Sequence, residues 1–149
     1  MTAEYAMRTN LGSDDNIVVR SAGLIQAPHE VASFVKEYLE SKQIDIARHK
    51  PRVLDHIWLE AADLPVAMST DHREKIAEQF GRHLPLFSEI AYGSEEPLRD
   101  VDEVVPNWRN NEAAAQEYAI SVMDYIFDGM PCFLDRMNLL LAPGVCFNR

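Results

Sequence analysis

Polar and apolar positions along this chain alternate between two rhythms. Ala3, Tyr5, Ala6 and Met7 set a helical spacing from the first residues, so residues 2–11 are expected to form a helix. Ile17 to Val19 is a short apolar run that ends in a glycine turn at Gly23, which reads as a strand. Pro28 suits the first turn of a second helix. Val31, Phe34, Val35, Tyr38 and Leu39 then mark one apolar helical face. Residues 63–68 (DLPVAM) read as a second strand. The next helix is capped by Ser69 or Thr70 and stopped by Gly81. Residues 85–90 (PLFSEI) read as a third strand, and 92–109 as a charged, turn-rich loop. A long helix is expected from Glu112 to Met137, kinked by Pro131, which cannot donate an amide hydrogen bond. A tail, 138–149, follows.

Strands that alternate with helices imply crossover connections and a mostly parallel sheet. Three strands are few for such a domain. The pattern asks for a further strand before the first helix. One domain, 1–137, is expected to carry the fold.

Composition narrows the function. Apolar residues make up 47% of the 149, so a packed core is expected. The formal net charge of -10 argues against a nucleic-acid partner or an anionic membrane, both of which call for a broad basic face. A small anion needs only a local positive site. No stretch has the length of a membrane span, and no secretory leader pattern opens the chain. Two cysteines, Cys132 and Cys146, make no disulfide framework, so a cytoplasmic setting is expected. Asp71, His72 and His83 do not have the paired spacing of metal ligands, and neither a metal nor a cofactor is expected.

Five local patterns, in order, resemble the low-molecular-weight protein tyrosine phosphatases, a family whose fold some arsenate reductases share. TAEYAMR is similar to the start of that family's first helix, and VVRSAGL to its second strand. QIDIARHKPRVL resembles its stretch with a His and an Arg three residues apart. LEAADLPVAMSTDH resembles its third unit, and VVPNWRNNEAAAQEY its acid loop and last helix. The resemblance covers residues 1–137. It implies a three-layer α/β fold of the phosphotyrosine phosphatase I type, with a parallel sheet, crossover helices and strand order 2-1-3-4. It also implies that the first, central strand is missing here. That vacancy would be met by collapse, by a borrowed segment, or by a strand-swapped homodimer.

The family's nucleophile sits in a C-x5-R loop between the first strand and the first helix. A thiolate at a helix N-terminus has a lowered pKa and attacks phosphorus, while the loop amides and the arginine hold the phosphoryl oxygens. No C-x5-R occurs in the 149 residues, and neither Cys132 nor Cys146 has an arginine six positions on. The resemblance places Asn107 at the general-acid position and Trp108 beside the substrate slot. Asp100 and Asp102 are nearby substitutes for the acid. By the same resemblance Ser21 and His49 support the loop. Read without it, Ser21 caps a turn, His49 is a loop histidine and Trp108 is a core or lid residue. Arg8 and Arg20 read as surface residues.

Two functions are expected in turn. One is a phosphatase-like protein that is inactive as written. The other is an active phosphatase of phosphorylated proteins or small phosphate esters, whose strand and C-x5-R loop lie upstream of a misplaced start. An arsenate reductase ranks last, because the two cysteines form no recognisable redox pair.

Overall fold

The computed structural model describes residues 1–12, 16–26 and 30–141. Its chain divides into two compact units. The first comprises Met1–Leu54 and Arg99–Asp128, the second Asp55–Leu98 and Gly129–Arg149. The expected start of the second helix at Pro28, the tail from 142 on and Cys146 lie outside the described residues.

In the first unit, α1 (Thr2–Leu11) has the expected bounds and buries Glu4 and Ala6. α2 (Ser33–Ser41) begins later than the apolar face suggests, and Val31 packs from outside the helix. Leu39, Ile44 and Ile46 form the buried centre, against which Tyr5, Val35, Tyr38 and Phe127 pack. The Tyr38 hydroxyl donates to Asp124 Oδ1 at 2.6 Å, tying α2 to the last helix.

The end of α2 is closed by a paired set of bonds. The Ile44 amide donates to the Leu39 carbonyl at 2.9 Å and the Gln43 amide to Glu40 at 2.8 Å. This geometry needs a left-handed residue at Gln43, whose φ is 63°. Glycine takes that conformation without the steric cost a β-carbon brings, about 1 kcal/mol. Gln43→Gly is therefore expected to raise stability by about that amount, read as an upward shift in thermal midpoint.

In the second unit, α3 (His56–Glu60) is capped by Asp55, whose carboxylate accepts from the Trp58 amide at 2.8 Å. α4 (Thr70–Phe80) is capped by Ser69 and ends at Gly81, with φ 67°. α5 (Phe87–Tyr92) occupies most of the segment expected to be the third strand. Phe87, Ile90 and Ala91 are buried at helical spacing. Glu89 reaches back to the Leu86 amide at 2.8 Å and Gly93 closes the end, so the local signals of a helix outweigh a short apolar run.

A one-turn α6 (Val101–Val104) and a 3₁₀ turn at Trp108–Asn110 interrupt the charged loop, whose Glu95, Glu96, Asp100, Asp102 and Glu103 are exposed. α7 (Glu112–Leu140) starts where expected, runs beyond Met137 and includes Pro131. It supplies residues to both units.

The three expected strands are the main correction. Among the described residues, β pairing is confined to two isolated parallel bridges, Gly23 with Val53 and Ala67 with Leu86. Gly23 donates to the Arg52 carbonyl at 2.9 Å and accepts from Leu54 at 2.8 Å. Ala67 donates to Pro85 and accepts from Phe87, both at 2.9 Å. The parallel sense is the one the alternating pattern implies. Ile17 to Val19 joins no ladder among the described residues, and Val18 is 73% exposed. A β-branched run needs a neighbouring strand to become one itself, and none of the described residues supplies it.

Candidate functional site

The first unit holds all four residues singled out from the sequence. Two of them meet around a buried carboxylate at the start of α1. Glu4 is 8% exposed. Its Oε2 accepts from the Ser21 hydroxyl at 2.5 Å, and its Oε1 is 2.5 Å from Arg8 Nη2. The same Arg8 nitrogen donates to the Val19 carbonyl at 2.8 Å. A carboxylate taken out of water is costly unless charged and hydrogen-bonding partners replace the solvent, and Arg8 and Ser21 do so. Arg8 is exposed, as expected of a surface residue, and in addition it is the ion-pair partner of Glu4.

His49 completes the cluster from the opposite segment. Its ring meets Tyr5 edge-on, with centroids 5.6 Å apart. Burial holds the imidazole pKa below its ordinary 6.5; Glu4 opposes that shift, and the positive charges of the chain's amino terminus and Arg8 add to it. Burial, then Glu4, pushes the Tyr5 phenol above 10. A histidine with a depressed folded pKa releases its proton on folding. Its neutral form is therefore fully compatible with folding above pH 6.5, and stability falls as the pH drops below 6.5. His49→Gln is expected to flatten the pH dependence of the thermal midpoint in that window, and an unchanged slope would count against burial of the neutral ring.

Asn107 and Trp108 stand elsewhere in the unit. Asn107 is exposed and left-handed, at φ 54° and ψ 37°, a conformation asparagine tolerates better than most residues. Its carbonyl accepts from the Asn110 amide at 2.8 Å. Trp108 is 37% exposed rather than core, and the Arg109 guanidinium lies 5.0 Å from its ring. Among the described residues, no hydrogen bond or ring contact joins Asn107 or Trp108 to Ser21 or His49.

Glu4 is the hub that the sequence pattern does not single out. Its signal is the Arg8 partner four residues on, a spacing usually found on solvated helix faces. Cys132 is exposed on α7, in no strand–loop–helix setting. Asp71 pairs with Lys75 at 3.1 Å, and His83 lines an open groove of about 700 Å³ with Glu74, Glu78 and Arg73, the last already bound to Glu89 at 2.7 Å. Among the described residues, no three His, Cys, Asp or Glu side chains gather to hold a metal, and no helix is long and apolar enough to cross a membrane.

Comparison with known proteins gives this geometry its context. The family model described as "Low molecular weight phosphotyrosine protein phosphatase" matches residues 1–114. A curated relative, the protein-arginine-phosphatase of Bacillus subtilis (strain 168), is 39% identical over 69 residues, covering 46% of this chain and 45% of that protein. The match thus spans under half of that relative's length. Two solved structures share the fold. A mutant of YwlE from Bacillus subtilis superposes with a TM-score of 0.72 over 92% of this chain and 88% of its own, at 23% identity. A mutant of YwlE arginine phosphatase that carries a phosphorylated active-site serine gives 0.73, over 97% and 90%, also at 23%.

Proposed function

This chain belongs to the low molecular weight phosphotyrosine protein phosphatase family, and from that premise we propose that its 149 residues form a phosphatase-like protein without hydrolytic activity of its own. One observation carries the reading: a phosphatase scaffold without a C-x5-R anywhere in the 149 residues. Covalent phosphoryl transfer of this type needs a thiolate at a helix N-terminus with amides and an arginine around the phosphate. Cys132 supplies none of that from the middle of α7.

The domain runs over residues 1–137 and lacks the first, central strand of its sheet. Asn107 takes the general-acid position, with Trp108 beside the substrate slot and Ser21 and His49 as loop supports. An amide donates a hydrogen bond but cannot deliver a proton to a leaving group. The setting is cytoplasmic, with no cofactor, and a homodimer is one way to cover the open strand edge.

A second reading is favoured by the intact cluster at Glu4, Ser21, Arg8 and His49, which retains the loop's expected supports. In it, a strand and a C-x5-R loop precede Met1 in the natural product, and the protein dephosphorylates proteins or small phosphate esters. The family's name favours phosphotyrosine as the substrate group, and the name of the Bacillus relative favours phosphoarginine. The intact mass of the endogenous protein separates the two readings. A mass of 16.9 kDa supports the first; a larger one, with a C-x5-R peptide at its amino end, overturns it in favour of the second.

A further inference from the structure

Asn107 and Trp108 ride on a loop, residues 99–111, that makes its own short turns. The Glu103 amide donates to the Asp100 carbonyl at 3.1 Å, Val105 to Val101 at 2.9 Å, and Asn110 to Asn107 at 2.8 Å. Pro106, between the two turns, has no amide to donate. At its far end the loop runs into α7, where the Ala115 amide donates to the Asn111 carbonyl at 3.0 Å. Val105 is buried and Val101 half-buried; the other residues of the loop are exposed.

The near end of the loop is held by a side chain of that same helix. The Tyr118 hydroxyl donates to the Arg99 carbonyl at 2.9 Å, across 19 positions of sequence. Among the described residues, no other side-chain hydrogen bond or ion pair joins 99–111 to the rest of the unit. The bond closes the loop into a ring on α7, with Asn107 near its middle. Closing a ring takes freedom from the residues within it. Burial raises the Tyr118 phenol above its ordinary 10; Arg99 opposes that shift, and the Glu103 and Asp100 carboxylates add to it, so the hydroxyl keeps the proton it donates.

We propose that Tyr118 is a positioning residue, whose hydroxyl holds the loop from Arg99 to Asn111, and residue 107 with it, in one place on α7. The assignment rests on the reading that 107 is the general-acid position, and it names the group that fixes that position. A side chain that hands over a proton must stand within hydrogen-bond reach of the leaving atom, about 2.6–3.2 Å. An error of about 1 Å in such placement costs on the order of 10²-fold in rate. The burial of Val105 anchors the loop without setting a direction, because apolar burial is non-directional. The hydroxyl–carbonyl bond does set one.

Amide hydrogen exchange of the full 149-residue protein provides the test. Exchange is read without turnover, so its result does not depend on whether 107 is the acid position; activity on alkyl and nitrophenyl phosphates tests that reading separately. Tyr118→Phe keeps the ring and removes the donor. Exchange over 99–111 is expected to quicken about fivefold or more, as loss of one hydrogen bond implies. The thermal midpoint is expected to stay nearly unchanged, which separates a loosened loop from a weakened fold. Tyr38→Phe removes another hydroxyl bond of the same unit, the one to Asp124, and is expected to leave 99–111 within about twofold. Tyr118→Leu, also without the hydroxyl, should quicken 99–111 at least as much as Tyr118→Phe. Unchanged exchange over 99–111 in Tyr118→Phe overturns the proposal. Equal quickening in Tyr38→Phe also overturns it, by making the effect global. Quickening in Tyr118→Leu alone overturns it too, by assigning the tie to the packing of the ring.

Discussion

Asn107→Asp, in a chain extended by a strand and a C-x5-R loop ahead of Met1, is expected to raise hydrolysis of alkyl phosphates by about 10²–10⁴-fold. The extension supplies the thiolate, the loop amides and the arginine, which suffice for phosphate binding and the covalent step. Proton delivery to the leaving group depends on a separate residue. With Asn107 in that position the departing alkoxide leaves unprotonated, which is slow. Nitrophenolate is stable as an anion and hardly needs the proton, so nitrophenyl phosphate should gain little. Asp is tolerated in the left-handed conformation at 107 much as Asn is, so the substitution should leave the turn intact. The result to measure is the ratio of the gains on poor and good leaving groups. Equal gains, or none, would move the acid to Asp102 or Asp100, which the same series tests through Asn substitutions.

Phe87→Ala should be the most damaging single truncation in the second unit, costing about 3–5 kcal/mol. Phe87 is 1% exposed, and its ring stacks on Phe133 at 5.3 Å and meets Tyr92 edge-on at 6.5 Å. Removing it empties the contact between α5 and α7. A domain of this size is usually stable by only about 5–15 kcal/mol, so the loss is a large share of the total. Urea unfolding should show the midpoint fall, whereas Phe34→Ala, only half-buried, should cost much less. A loss at Phe87 below about 1 kcal/mol would mean that the α5–α7 packing is not formed.

Ser88, next in sequence, should behave in the opposite way. Its hydroxyl is buried without a protein hydrogen-bond partner. Ser88→Ala should therefore leave stability unchanged or raise it by about 1 kcal/mol, as read from the same urea curves.

How much of the structure is legible in the sequence depends on whether the signal is local. α1 and α4 carry their own boundaries: Ala-Glu at the start of one, Ser69 and Gly81 around the other. The start of α7 at Glu112 is local in the same way. Strands have no such self-sufficiency. Ile17 to Val19 has the β-branched composition of a strand, but a ladder also needs a partner, which composition does not reveal. Residues 85–90 read as a strand because a short apolar run fits both periods. Glu89 decides for the helix, by closing the Leu86 amide. At the candidate site, Ser21 and His49 are legible only through resemblance to a family. Glu4 escapes notice because its burial is created by residues 16–23 and 46–53, far from it in sequence.

Nitrophenyl phosphate hydrolysis asks whether the proposed phosphatase-like scaffold holds a nucleophile among its 149 residues. The purified 149-residue chain should be compared with its Cys132→Ser and Cys146→Ser variants. This substrate needs no general acid, so the assay isolates the covalent step. Turnover indistinguishable from buffer is expected for all three proteins. Turnover above background that is lost with Cys132→Ser or with Cys146→Ser would contradict it by identifying a nucleophile among these residues.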